Sequence, residues 1–192
     1  MEERRRDGGP DHAERADALR QKVIDAIAET MDLYGAAPSV GQLYGIMFFE
    51  DRPMTLEEMK TTMGMSKSSM SYGIRTLLES KMVVKLEQKD RRKNLYRAED
   101  NFYTAFRNFF TIKLQREIHV MMSAVNEVMP ELKELVLAID TPEPVRRQAL
   151  GDLHKLFHAA DYYEWLQQFV RDLRDGRLFG GREDRREAGP TG

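Results

Sequence analysis

Apolar residues recur along most of this chain at spacings of three and four, the repeat of one face of an α-helix. Leu19, Val23, Ile27, Met31 and Tyr34 form one such stripe, and Gly35 is placed to end that helix. In "PSVGQLYGIMFFED", Ser39 stands as N-cap of a second helix with Gln42 three residues on, the capping-box arrangement. A third helix begins at Thr55, whose box partner is Glu58 and whose flanking Met54 and Met59 have the spacing of a hydrophobic staple. Gly64 keeps that helix short, and Ser66 is a suitable N-cap for the next.

That next helix lies in "MGMSKSSMSYGIRTLLESKMV", residues 63 to 83. Met70, Ile74, Leu77 and Leu78 form its inward stripe, which leaves Lys67, Ser68, Ser69, Ser71, Tyr72 and Arg75 facing outward. Serine is a poor helix former, and glutamate–lysine pairs are the usual surface choice. Gly73 costs about 1 kcal/mol relative to alanine in a helix interior, which points to something packed close against it. The following "MVVKLEQKDRRKNLYRAE" has alternating and β-branched residues on either side of a basic turn, and reads as a two-stranded hairpin. Helix, short turn, helix and hairpin is the order of a winged helix-turn-helix.

The remainder is long helix. Leu114, Ile118, Met121, Val125, Val128, Leu132, Leu135 and Ile139 alternate spacings of four and three, a seam suited to helix–helix association. Pro130 lies inside this run and is expected to kink or divide it. "DTPEPV" marks a new start with Thr141 as N-cap and Pro142 at the first helical position. The last helix carries Leu153, Phe157, Ala160, Leu166, Phe169 and Leu173 and stops near Gly176. The fold class is therefore mainly α with a small β-hairpin wing, a winged helix-turn-helix flanked by long helices.

The 192 residues suffice for one ordinary domain, or for a small domain with an added helical element. Cysteine is absent, which excludes disulfides and thiolate chemistry. The N-terminus is charged where a signal peptide needs an apolar stretch, and no apolar run approaches a membrane span, so a cytoplasmic protein with no membrane partner is expected. Net charge is only −2, yet Lys67 to Arg97 holds nine basic residues against Glu79, Glu87 and Asp90. That window is +6 and the remainder −8, a distribution that suits local contact with a polyanion.

An α-helix fits the major groove, where short hydroxyl side chains permit close approach and Arg75 can reach guanine O6 and N7. Ser66, Lys67, Ser68, Ser69, Ser71, Tyr72 and Arg75 are accordingly the candidate recognition-helix residues, with Lys89, Arg91, Arg92 and Lys93 at the hairpin tip placed for phosphate or minor-groove contact. Aromatic residues crowd elsewhere. Tyr34, Tyr44, Phe48, Tyr96, Phe102, Phe106 and Trp165 suit either core packing and a dimer seam or a ring-lined pocket for a small apolar ligand or a quaternary ammonium. His154 and His158 with Asp161 have a spacing that metal ligands on one helix face use, although two histidines on an amphipathic helix are more often boundary residues. No phosphate loop, nucleophile elbow or carboxylate pair stands out, so neither an enzyme nor a cofactor is expected.

"MTLEEMKTTMGMSKSSMSYGIRTLLESKMVVKLEQKDRRKNLYRAED" resembles the winged-helix core of the MarR superfamily. With "YGAAPSVGQLYGIMFF" before it and "DNFYTAFRNFF" after it, the chain is similar over residues 20 to 175 to the GbsR-type branch, regulators of glycine betaine synthesis and uptake genes. The resemblance implies a cytoplasmic homodimer with intertwined terminal helices, recognition helices in successive major grooves of a near-palindromic operator, and a ligand pocket between the dimer and DNA-binding parts. Residues 1–12 and 180–192, rich in charge, glycine and proline with almost nothing to bury, are expected to be disordered tails. The resemblance makes 13–36 an N-terminal dimerisation helix, 37–99 the winged helix-turn-helix, and 100–179 helices for dimerisation and effector binding. A ligand-responsive regulator is expected, a repressor that senses choline or a related osmolyte. Two other readings stand beside it: a winged-helix module that binds another protein, and a metal-dependent enzyme built on His154, His158 and Asp161.

Overall fold

A computed structural model of the chain describes residues 12–90 and 93–182. It divides into two compact units, residues 1–100 and 101–192. The first contains α1 (His12–Leu33), α2 (Pro38–Glu50), β1 (Met54–Thr55), α3 (Leu56–Met63), α4 (Lys67–Glu79), β2 (Val83–Asp90) and β3 (Lys93–Ala98). The second is a helical hairpin of α5 (Phe102–Leu137) and α6 (Glu143–Arg174). Of the expected disordered tails, residues 1–11 and 183–192 lie outside the described residues, whereas His12 opens α1.

In the first unit α1 packs on α2 through Ile24, Ala28 and Met31. The apolar stripe expected to face inward is therefore only partly buried: Leu19, Val23 and Tyr34 are exposed, and Ile27 is half-buried. The reason lies in α2, whose Gly41 and Gly45 form a shallow groove. A Cβ on Gly41 would lie 2.6 Å from the Ala28 Cα, and one on Gly45 would lie 3.2 Å from the Ile24 Cα. The α1 backbone at Ile24 and Ala28 seats there, which turns Leu19 and Val23 outward. Gly35 ends this helix region as expected, at φ +76°.

Ser39 does not cap α2. Pro38 occupies the first turn and Ala37 is the N-cap without a side-chain hydrogen bond, because proline's fixed φ and missing N–H start the helix before the serine is reached. Val40, Leu43, Tyr44 and Met47 then form the centre of this unit's core. The Tyr44 hydroxyl donates to the Glu99 carbonyl at 2.7 Å, tying α2 to the chain just after β3. Strands pair antiparallel in the order β1-β3-β2, so a third strand joins the expected hairpin. Met54 and Thr55 of β1 pair with Tyr96 and Leu95.

In the second unit α5 runs without division through Pro130. Proline removes one intrahelical hydrogen bond, a loss that 36 residues of helix absorb. The expected seam splits in two. Ile118 and Val125 are buried with Leu132 half-buried, whereas Met121, Val128 and Leu135, also seven apart, are exposed. Ile118 packs with Tyr163, Leu166 and Val170 of α6. The start of α6 also differs from expectation: Pro142 is the N-cap, not Thr141, and Pro144 lies in the first turn. The Arg146 guanidinium closes the turn by donating to the carbonyls of Val136, Ala138 and Thr141, which serves the unpaired carbonyls at the C-terminal end of α5. Gly176, at φ +73°, follows the end of α6.

Candidate nucleic-acid interface

Thr55 caps α3 with a complete capping box. The Glu58 amide donates to the Thr55 hydroxyl oxygen at 3.3 Å, and the Thr55 amide returns to the Glu58 carboxylate at 2.6 Å. Met54 and Met59 on either side are both fully buried. Gly64 ends α3 in the left-handed region at φ +62°. Ser66 then caps α4, its hydroxyl oxygen accepting from the Ser69 amide at 3.2 Å and sharing a hydrogen bond with the Ser69 hydroxyl at 2.9 Å. Two well-capped helices joined by Gly64, Met65 and Ser66 make the turn.

Met70, Gly73, Ile74 and Leu77 are the buried residues of α4, with Leu78 half-buried. Gly73 does have a close neighbour: a Cβ there would sit 3.3 Å from Leu43 Cδ2 of α2. The contact is with the flexible end of one side chain and not with backbone, so it is tight without requiring glycine. Ser66, Lys67, Ser68, Ser69, Tyr72 and Arg75 are exposed, and Ser71 is half-buried. Lys67 and Arg75 form no ion pair among the described residues, and the first turn of α4 carries no acidic side chain.

The β2–β3 ladder pairs Lys85 with Tyr96 and Lys89 with Asn94, so three residues of β2 face a single residue of β3 between those pairs. Such a bulge bends the ribbon and increases its twist. Lys93 is exposed at the start of β3. Lys89 belongs to β2, its side chain lying outside the described residues together with Arg91 and Arg92.

One group that periodicity does not pick out supports the turn. Arg52, before β1, donates to Glu58 at 2.9 Å and to Glu50 at 3.2 Å, and so links the end of α2 to the cap of α3. The Thr55 amide, then its hydroxyl and then Arg52 hold the Glu58 carboxyl below its ordinary range, and the hydrogen bond to Glu58 raises the Arg52 pKa. Arg52, Thr55, Glu58, Thr61, Thr62 and Lys93 are among the residues lining an open cleft of about 440 Å³. The available sequence signal was an arginine within reach of glutamates two positions before and six after it.

The aromatic candidates fall in both units. In the first, Tyr44 and Phe48 lie 6.4 Å apart, Tyr44 is buried, Phe48 and Tyr96 are half-buried, and Tyr34 is exposed. In the second, Phe102 and Phe106 occupy the first turns of α5, with Phe106 against Phe110 at 4.5 Å and Phe179 at 6.4 Å. Trp165 of α6 is 59% exposed and lies 5.9 Å from Tyr162 and 5.8 Å from Phe169. Between α5 and α6, Gln115 and Gln167 exchange amide hydrogen bonds at 2.9 and 3.0 Å beside a cleft of about 490 Å³ that Tyr163 and Glu164 also line. Desolvation, then Glu117, raises the Tyr163 pKa. His154 and His158 are exposed with rings 4.9 Å apart, and no cluster of three or more metal-ligating residues occurs among the described residues.

A capped helix-turn-helix followed by a bent ribbon, with an exposed face of hydroxyl and cationic side chains whose Lys67 and Arg75 have no ion-pair partner among the described residues, defines a class, the DNA-binding transcriptional regulators. Residues 102–180 match the family model for the GbsR family transcriptional regulator, C-terminal helical hairpin. Over 160 residues the chain is 39% identical to the HTH-type transcriptional repressor GbsR of Bacillus subtilis (strain 168), an alignment covering 83% of this chain and 88% of that protein. From the same organism, the HTH-type transcriptional repressor OpcR is 29% identical, with 83% of this chain and 86% of that protein covered. A third protein of that organism, the "Putative HTH-type transcriptional regulator YvaV", is 31% identical, with 81% of this chain and 88% of that protein covered. The chain belongs to the GbsR family of helix-turn-helix transcriptional regulators. It is a regulator and not an enzyme, which sets aside the metal-dependent reading of His154, His158 and Asp161. Among the described residues no helix is long and apolar enough to cross a membrane.

Proposed function

We propose that this chain is a ligand-responsive repressor that binds a near-palindromic operator as a homodimer in the cytoplasm. The carrying observation is the outward face of α4, where Lys67, Ser68, Tyr72 and Arg75 are exposed without an acidic partner among the described residues. Cations and hydroxyls set on a rigid helix suit phosphate oxygens and base edges. Lys89, Arg91, Arg92 and Lys93 at the wing would add phosphate contacts. A protein-binding module is the weaker reading, since a groove for a partner calls for several apolar anchors and this face has one aromatic ring.

Two observations support the finer parts. The exposed half of the α5 seam, Met121, Val128 and Leu135, places an apolar side chain every second turn on one face, which a second copy would cover. Within the second unit, the exposed aromatic residues Phe106 and Trp165 suit a choline-like cation held by cation–π attraction. Half-sites should lie about 10 base pairs apart or a multiple of that.

The test is fluorescence anisotropy of the full chain on its own upstream DNA across a salt series. Affinity should fall by about 0.9 log units per tenfold salt for each phosphate neutralised. Equal affinity for upstream and scrambled DNA at every salt would refute specific binding. Calorimetry with choline tests the effector, and neither heat nor a change in operator affinity would refute that part.

A further inference from the structure

Tyr72 is out of character with its surroundings. It is 62% exposed on a helix face whose other members are serine, lysine and arginine. Tyrosine is not a favoured helix former, and an aromatic ring in water gives up the apolar contacts that make it useful elsewhere. Nothing in the domain requires it: the core side of α4 is complete with Met70, Ile74 and Leu77. Among the described residues its hydroxyl makes no hydrogen bond, and its backbone carbonyl accepts from the Thr76 hydroxyl at 3.1 Å.

Its neighbours divide into two sorts. Ser66 and Ser69 hold each other and the start of the helix, so their hydroxyls already have partners. Ser68, Tyr72 and Arg75 are spaced four and three apart and lie in line along the exposed face. In a major groove that line meets base edges, and the apolar feature there is the C5-methyl group of thymine.

We infer that Tyr72 is a specificity-determining residue that reads a thymine in each half-site through ring contact with the thymine methyl, while Ser66 and Ser69 act as cap and do not read bases. The inference rests on the DNA-binding reading above. With a rise of about 1.5 Å per helical residue, Tyr72 and Arg75 are about 4.5 Å apart along the axis. Base steps of about 3.4 Å therefore put the thymine one or two steps from a guanine held by Arg75.

Deoxyuridine differs from thymidine only in lacking that methyl. The experiment measures affinity of the full chain for an operator mapped by footprinting, with each thymine replaced in turn by deoxyuridine. At one thymine per half-site the wild type should weaken about fourfold, the equivalent of about 0.8 kcal/mol for one buried methyl group. Tyr72→Phe should keep that discrimination and Tyr72→Ala should abolish it, with both variants retaining wild-type circular dichroism because the residue is exposed. Binding without any thymine–deoxyuridine difference overturns the inference, as does a difference that survives in Tyr72→Ala. A Tyr72→Phe variant that behaves like Tyr72→Ala also overturns it, since the hydroxyl and not the ring would then be the reader. Failure of the wild type to bind any operator strikes at the DNA-binding reading itself and removes the inference with it.

Discussion

Replacing Gly41 with alanine should destabilise the protein although alanine is the better helix former. The new methyl would sit 2.6 Å from the Ala28 Cα and 3.3 Å from both its Cβ and its carbonyl oxygen. Carbon atoms pack comfortably at about 3.5–4.0 Å, so α1 must move away by about 1 Å, and backbone cannot yield as a side chain does. Overpacking of this kind costs about 1–3 kcal/mol, against about 1 kcal/mol gained from helix propensity. A net loss of about 1 kcal/mol lowers Tm by about 2–4 °C in a chain of this size. Gly73→Ala is the internal control. Its methyl meets only Leu43 Cδ2, at 3.3 Å, the far end of a flexible side chain. Propensity should prevail there and raise stability by about 0.5 kcal/mol. Urea denaturation of both variants at one protein concentration reads the two signs. Shifts of the same sign would refute the claim that α1 and α2 meet backbone to backbone.

At the turn between α5 and α6, Arg146→Ala should cost about 2 kcal/mol by leaving carbonyl groups of Val136, Ala138 and Thr141 without their charged donor. Arg146→Lys should recover less than half of this in thermal melts, because one ammonium group cannot span the fork. The lowered pKa of Glu58 means that its contribution is fully present above the ordinary glutamate value of about 4.3 and is lost as pH falls through the lower folded value. Glu58→Gln, which still completes a capping box, should therefore flatten the stability profile below pH of about 4.5 in urea titrations, and an unchanged profile would contradict the assignment. Arg75→Ala should relax sequence preference, whereas the Arg91→Ala, Arg92→Ala double variant, which removes two arginines from each wing of the dimer, should weaken binding to all sequences and reduce the salt slope by about 4, as anisotropy on specific and scrambled DNA would show.

Signals carried within a few residues of chain were legible in advance. The Thr55–Glu58 box, Gly64, Ser66 and the alternation on either side of the basic turn act locally, and the helix-turn-helix follows from them. What was misread depended on a partner distant in sequence. The buried side of α1 is chosen by two glycines of α2, which let the α1 backbone at Ala28 and Ile24 approach closely and so turn Leu19 and Val23 outward. β1 is two residues long and exists because β3 offers it an edge. Where proline competed with a hydroxyl for the start of a helix, at Ser39 and again at Thr141, proline's geometry prevailed. The α5 stripe was visible as one pattern, but sequence alone does not say that α6 takes every second member of it. Arg52 carried no periodic signal, since its role comes from bridging two helices that only the fold brings within reach.

The serine pair at the start of α4 bears on the energetics of forming a dry interface. Polar groups entering such an interface must give up water, and those without a new partner weaken the complex. Ser66 and Ser69, though exposed, already hydrogen-bond each other and the helix amide, so they keep these partners when water is withdrawn. A surface pressed against this end of the helix thus incurs the desolvation penalty at Lys67, Ser68 and Arg75, the groups able to recover it from charge or base edges, while the cap stays intact beneath it.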